Sequence, residues 1–374
     1  MTQGPFASRL ARMRQQAREY GADAVLVTPG PDLRYLVGYD ALPLERLTCL
    51  VVPTEGDASL VVPRLELLAA QASPVAGLDL TLRPWGEGEN PYALVTSLLE
   101  GCNRVALDNH MWFEKVVGFR DAAPHWSTIL AGFILSSLRM RKDDDEIAAL
   151  VNAGAAIDRV HARVPGLLRA GRTEREVGAD IADAIIAEGH VAVDFIIVGS
   201  GPNGASPHHD VSDRVIVDGD VVVVDIGGTM PDGYRSDCTR TYAVGHAPAD
   251  FVAEYAVLQE AQAAAVAHAR VGVTCESVDS AARHVLAQAG LGELFIHRTG
   301  HGIGMETHED PYIVAGNSLV LDEGMAFSIE PGFYREGRYG ARIEDIVIAG
   351  RNGLIVCNTG TRDLVVTPAG GTGR

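Results

Sequence analysis

The strongest constraint in this chain is a conflict between side chains and their setting: carboxylates stand inside runs too apolar to keep them in water. Asp225 follows Val221, Val222, Val223 and Val224; Glu330 closes the run 325–329 (MAFSI); Glu344 lies within 341–348 (ARIEDIVI). Runs of this kind read as buried strands. A lone carboxylate taken out of water costs several kcal/mol, so each of these needs a proton or a cation. Asp237 adds a fourth acid, on what reads as the return strand of a hairpin, and residues 300–312 (GHGIGMETHEDPY) bring His301 and His308. Four negative charges balance two divalent ions. A donor set of oxygens with one imidazole favours a hard or borderline ion, Mn²⁺ first, with Co²⁺ or Zn²⁺ as alternatives.

The rest of the chain bounds what surrounds such a centre. At 374 residues, 47% hydrophobic and 21% charged, it has the length for two domains with sizeable cores. A formal net charge of −18 argues against a nucleic-acid surface, which would need clustered Lys and Arg. Five widely spaced cysteines without a Cys-x-x-Cys pair read as reduced thiols in a cytoplasmic protein. No run approaches the ~18 apolar residues of a membrane span, and the N-terminus reads as an amphipathic helix rather than an export signal.

In chain order, a helix over 6–20 precedes a strand over 24–28, a turn at 29–32, and a hairpin of 47–53 with 58–63 across residues 54–57. Helical stretches at 64–72, 92–99 and 112–120 and a strand at 105–107 complete a small α/β domain, 1–138. Residues 139–374 form the second domain. It opens on the acid-rich start of a helix over 147–164, where Asp143, Asp144, Asp145 and Glu146 suit a first helical turn. Thr173 and Glu176 then make a capping box for a helix running to Gly189. A strand over 191–198 enters the glycine-rich loop 199–204, which lacks the spacing and the Lys-Ser/Thr pair of a phosphate loop and instead aims His208 or His209 at the centre. Two further helices span 250–269 and 274–288.

The order Asp225, Asp237, His301, Glu330, Glu344, with the pieces VVVVDIGG, GYRSDCTRTY, HRTGHGIGMETHEDPY, SIEPGFY and GARIEDIVI, resembles the metallopeptidases of pita-bread fold. These include Xaa-Pro dipeptidases, Xaa-Pro aminopeptidases and methionine aminopeptidases. The resemblance runs from about Arg139 to the C-terminus; the first domain resembles the N-terminal domain of prolidases only through its length and residues 35–39 (YLVGY). One departure stands out: Asp225 and Asp237 are twelve residues apart where eleven is expected in most relatives, and the extra residue falls in the turn-rich stretch 227–233.

The resemblance implies an α/β protein, a small N-terminal domain followed by a pita-bread catalytic domain of two αβ halves related by a pseudo-twofold. Asp225 would chelate one metal, Asp237 and Glu344 would bridge two, and His301 and Glu330 would hold the second. Two such ions lower the pKa of a shared water and polarise a carbonyl, so amide hydrolysis follows. Glu330 would accept the proton. His208 or His308 would stabilise the charge developing on the carbonyl oxygen. His208 is the histidine that matches the motif, with His209 facing away, and His297 and His308 match the histidines that line the proline pocket. Arg342, placed on the same strand face as Glu344, would orient a ligand carboxylate, with Tyr334 in the same outer network.

An Xaa-Pro bond has no N–H, and a dipeptidase also needs a cation for the free carboxylate of its substrate: Arg46, Arg335 and Arg338 are the candidates. The expected protein is a cytoplasmic, homodimeric Xaa-Pro dipeptidase acting on proline-containing dipeptides or short peptides, with no nucleic-acid or membrane partner. An Xaa-Pro aminopeptidase is the alternative. A metal-free peptide-binding protein on the same scaffold would have replaced ligands that this sequence keeps.

Overall fold

A computed structural model describes residues 4–368, which divide into two compact units between Arg139 and Met140. Among these residues no helix is long and apolar enough to cross a membrane, and all five cysteines are free thiols.

The first unit opens with α1 (Pro5–Glu19), whose buried Leu10, Met13 and Ala17 recur at helical spacing. Then come β1 (Ala24–Val27), α2 (Pro31–Val37), β2 (Cys49–Pro53), β3 (Ala58–Pro63), α3 (Leu67–Ala72), β4 (Leu80–Trp85), α4 (Pro91–Ser97), β5 (Arg104–Leu107), α5 (Phe113–Ala122), β6 (Ser127–Leu130) and α6 (Gly132–Arg139). The strands form one mixed sheet, ordered β4-β3-β2-β1-β5-β6. The hairpin expected across 54–57 is the antiparallel β2/β3 pair. The turn at 29–32 gives way at Pro31 to α2, because proline suits a first helical turn, and Gly38 ends that helix in the left-handed conformation. Three elements, β4, β6 and α6, have no counterpart in the sequence reading; Arg83 and Pro84 interrupt β4, which its edge position tolerates.

The second unit begins with α7 (Asp144–His161), where Asp143 and Glu146 exchange side-chain bonds in a capping box, so the acidic cluster serves the helix start. After α8 (Val164–Leu167), α9 (Glu174–Ala187) is capped in the same way by Thr173 and Glu176. β7 (Ala192–Ser200), β8 (Val221–Thr229) and β9 (Arg235–Val244) pair antiparallel in succession. Next are α10 (Ala249–His268), α11 (Cys275–Gln288), β10 (Gly300–Gly302), β11 (Glu309–Ile313), β12 (Ala326–Ile329), β13 (Gly332–Arg335), β14 (Tyr339–Arg342), β15 (Asp345–Gly350), β16 (Gly353–Val356) and β17 (Val365–Thr367).

These elements make two sheet-and-helix halves. In one, α7 and α9 bury Ile157, Val160, Val177 and Ile181 against Val222, Val224, Ile226 and Cys238 of the β17-β9-β8-β7 sheet. In the other, α10 and α11 bury Phe251, Leu258, Val278 and Leu286 against Phe327, Ile329 and Val347 of the β11-β10-β12-β15-β16 sheet. A fully buried side chain of this size contributes about 1.5–3 kcal/mol, whereas an N-cap contributes about 1 kcal/mol. Packing therefore holds each half together, and the caps set where its helices begin.

The alternate residues of β8 and β9 point away from their helices, toward the β14–β15 region: the Glu344 N–H donates to Thr239 O and the Thr241 hydroxyl to Arg342 O. Here the sequence reading of 341–348 as one strand is corrected. β14 ends at Arg342 and β15 starts at Asp345, in a different sheet, and Ile343 and Glu344 make the crossing. An apolar run buried on both sides of a sheet change looks the same as one continuous strand.

Candidate metal centre

Register brings the first two acids together. On the antiparallel β8/β9 ladder Asp225 lies opposite Thr239 and Asp237 opposite Gly227, so both aspartates occupy the face turned from the helices and sit diagonally across it. The twelve-residue spacing is absorbed in the connection, where Met230 N–H donates to Tyr234 O and Gly233 adopts positive φ. Neither strand shifts its pleat.

His301 arrives on β10, threaded between β11 and β12. A side chain at Gly300 would strike the backbone oxygen of Ser328, and one at Gly302 that of Asp310, so glycines flank the histidine because only bare backbone fits there. His301 Nδ1 donates to Gly302 O at 3.1 Å. That bond leaves Nε2 to face Glu330 Oε1 at 3.2 Å and Asp237 Oδ2 at 3.6 Å. An imidazole tied back to a carbonyl through one nitrogen and presenting the other is how histidine ligates metal. The Ser328 hydroxyl donates to Glu330 Oε1 while accepting from His301 N–H, which couples the two residues.

Asp237, His301 and Glu344, all buried, offer ligand atoms within 4.8 Å of one another. Glu330 joins them through His301. Asp225 is 7% exposed, and its Oδ1 has no hydrogen-bond partner. Burial, then Asp225, pushes the Asp237 carboxyl well above the usual range; burial, then Asp237 and Glu330, does the same to Glu344. Burial also works against a charge on Glu330 and on His301, but their mutual hydrogen bond and attraction hold Glu330 low and His301 high. The cluster thus takes up protons wherever nothing else balances it. Buried carboxylates crowding one imidazole, with an orphaned aspartate oxygen beside them, fit divalent cations.

Outer residues hold the ligands. Arg342 Nη2 lies 2.5 Å from Asp225 Oδ2, Nη1 donates to Tyr334 OH at 2.8 Å, and Nε donates to Thr239 Oγ1 at 3.0 Å. The Thr239 hydroxyl in turn donates to Glu344 Oε2 at 2.8 Å. Arg342 is thus placed against a ligand carboxylate, that of Asp225, although the strand breaks before Glu344 and the two share no strand face; Thr239, which the sequence did not single out, links it to Glu344 from the opposing sheet.

His297 uses both nitrogens: Nδ1 donates to Arg298 O at 2.8 Å and Nε2 accepts from Tyr334 OH at 2.8 Å. It therefore steadies Tyr334 and has no nitrogen left for a ligand in this arrangement. Burial lowers its pKa, so it stays neutral. The His308 ring stands 4.1 Å from that of His301, centroid to centroid. Its pKa falls to about 4, through partial burial and then the nearby His301, Arg298 and His208. His208 is exposed, whereas His209 Nε2 is turned onto Glu174 Oε2 at 2.8 Å.

Of the arginines considered for a substrate carboxylate, Arg335 pairs with Glu254 and Arg338 with Asp250, both acids of α10. Arg46, in the first unit, pairs with Glu45 and Glu66. The structure instead draws attention to Arg298, which the sequence reading passed over. Its guanidinium lies 4.6 Å from the Tyr312 ring centroid, close enough to depress His308, with no carboxylate partner among the described residues. Its place three residues before His301 was the available signal.

A fold of this kind around a buried acid–imidazole cage defines a hydrolase of the metallopeptidase class. The chain belongs to metallopeptidase family M24, whose pattern matches residues 148–350, while residues 9–140 match the creatinase/prolidase N-terminal domain. Its relatives include a protein named probable dipeptidase PepE from Mycobacterium tuberculosis, 53% identical over 97% of each chain. It is also 35% identical to the Xaa-Pro dipeptidase of Lactobacillus helveticus, over 96% of this chain and 99% of that one. The crystal structure of dipeptidase PepE from Mycobacterium ulcerans superposes with a TM-score of 0.93 at 51% identity, covering 98% of this chain and 99% of that one.

Proposed function

We propose that the protein is an Xaa-Pro dipeptidase of the cytoplasm, active as a homodimer, with two divalent ions, Mn²⁺ by preference, in each subunit. The observation that carries this is the cage itself: Asp237, His301 and Glu344 within ligand distance of one another, Glu330 Oε1 3.2 Å from His301 Nε2, and Asp225 holding one oxygen free. Relatives of nearly the same length that are named dipeptidase or Xaa-Pro dipeptidase support the substrate. Asp225 would hold one ion, Asp237 and Glu344 both, and His301 and Glu330 the second. When bound, such ions supply a nucleophile from water at neutral pH and polarise the scissile carbonyl.

The chain's own groups do the rest. Glu330, fixed by the hydroxyl of Ser328, would take up the proton of the attacking water. His308, neutral at pH 7 because its pKa is about 4, donates a hydrogen bond to the carbonyl oxygen as charge builds there, with His208 beside it. Arg298 offers an unneutralised guanidinium for the free carboxylate of a dipeptide. Arg335, Arg338 and Arg46 would each have to surrender an acidic partner first.

The decisive experiment compares Mn²⁺-loaded protein on Leu-Pro and on Leu-Pro-Xaa tripeptides. Cleavage of the dipeptide is expected. Rapid cleavage of tripeptides with an inert dipeptide would make the protein an Xaa-Pro aminopeptidase instead, and no hydrolysis with no bound metal would remove the enzyme reading altogether.

A further inference from the structure

Glu174 opens α9, where the helix start favours a negative charge, yet its side chain is fully buried. Six donor groups converge on this one carboxylate. Oε1 accepts from Ser200 N–H at 2.8 Å, Ser200 Oγ at 2.6 Å and Asn203 Nδ2 at 3.1 Å. Oε2 accepts from His209 Nε2 at 2.8 Å, Ser212 Oγ at 2.5 Å and Ser212 N–H at 3.2 Å, and Asn203 Nδ2 reaches it too at 3.1 Å. Burial alone would raise its pKa, but the bonds from Ser200, Ser212 and His209 bring it down to about 2, so it stays charged.

A helix start needs no such convergence, since one capping box already serves α9. What the donors share is one segment, residues 200–212, which Glu174 grips at both ends and in the middle. Two arginines complete the grip: Arg214 Nη1 donates to Ser200 Oγ at 2.6 Å, and Arg342, the partner of Asp225, directs Nη1 and Nη2 at Pro207 O, each at 3.4 Å. His208 stands between Pro207 and His209. With the His209 ring bound inward, the ring of His208 is left exposed, one residue on from the Pro207 carbonyl that Arg342 holds.

We infer that Glu174, through His209, is a positioning residue that sets where the 200–212 segment presents His208 to the substrate. The inference rests on the reading of His208 as a substrate-side donor, and it assigns a role to a buried acid distant in sequence from every proposed ligand.

The test is a double-mutant cycle on metal-loaded protein, reading kcat/KM for Leu-Pro together with metal content and Tm. Glu174→Gln keeps the shape but turns an amide on donors that expect an oxygen; His209→Ala removes the link alone. Each is expected to lower kcat/KM by ~10–100-fold, the scale on which small displacements of reacting groups act. In a His208→Ala background the same changes should cost less than ~3-fold, since coupled residues are not additive. His209→Gln, which places an amide N–H near the former Nε2, should restore most of the rate. Equal fold losses in both backgrounds, or no loss in the parent, would overturn the inference and leave the dipeptidase reading standing. If Glu174→Gln does not fold, the His209 pair carries the same comparison. A His208→Ala protein with full activity would overturn the role of His208 and this inference together.

Discussion

The guanidinium of Arg342 approaches Asp225 Oδ2 to 2.5 Å and leaves Asp225 Oδ1 with no partner. One oxygen is thus fixed by a planar donor so that the other points where a cation would lie. The same guanidinium bonds Tyr334 and Thr239, a fork that an ammonium cannot reproduce. Arg342→Lys is therefore expected to weaken metal affinity by ~10–100-fold, as losses around ligands commonly do. Metal titration followed by calorimetry measures it, and unchanged affinity would contradict the assigned role.

Thr239 passes the hold of Arg342 on to Glu344 through a single hydroxyl. Thr239→Val keeps the volume and removes that bridge, leaving a buried carboxylate oxygen and a guanidinium N–H unmatched. About a tenfold loss of metal affinity is expected, consistent with the ~1–3 kcal/mol cost of stranding buried polar groups. Thr239→Ser should retain most of it. If Val and Ser behave alike, the hydroxyl is not the link.

Arg298, if it receives the substrate's carboxylate, distinguishes Leu-Pro from Leu-Pro-amide. Arg298→Gln should reduce kcat/KM for the free acid about tenfold or more, the range of a hydrogen bond to a charged group, while leaving the amide nearly unaffected. Steady-state kinetics on the two substrates decide it. Parallel losses on both would mean that Arg298 acts on the histidines instead.

His161, buried on α7, exchanges a hydrogen bond with Tyr242 OH at 3.0 Å and another with Cys238 O at 3.0 Å. Burial, then the charge of Arg240, lowers its pKa from 6.5 to about 3. The unfolded chain binds this proton more readily than the native one, so the neutral imidazole contributes its full stability above pH 6.5 and loses it as pH falls toward 3. Every tenfold difference in proton affinity between the two states corresponds to about 1.4 kcal/mol. His161→Gln, which keeps a donor and an acceptor but cannot titrate, should flatten the fall of Tm over that window. An unchanged slope would place the acid sensitivity elsewhere.

What the sequence disclosed divides along a physical line. Capping boxes, the β2/β3 hairpin and the apolar run before Asp225 are written in neighbouring residues, and each folds as its local chemistry demands. Asp225, Glu330 and Glu344 were legible because each stands in an apolar run that could not tolerate it alone, whereas Asp237 and His301 were legible only through the motifs that resemble the family. The sheet change at Ile343 and Glu344 was not, since both sides of the crossing are equally buried. Thr239 and Glu174 escaped notice because their importance comes from partners such as Glu344 and Ser212, distant in the chain. Arg335 and Arg338 looked available only because Glu254 and Asp250 are more than eighty residues away.

The crossing at Glu344 has a mechanical consequence. Asp225 and Asp237 come from one sheet, His301 from another with Glu330 just past the end of its neighbour β12, and Glu344 from the link between β14 and β15, where its N–H bonds Thr239 O of the first sheet. Whatever these groups bind together also rivets one sheet to the other, so occupancy and rigidity rise as one. Chelation should then loosen the catalytic unit as a body: a ligand at a hundred times its dissociation constant adds about 2.7 kcal/mol to the folded state, and stripping it forfeits that bond across the seam.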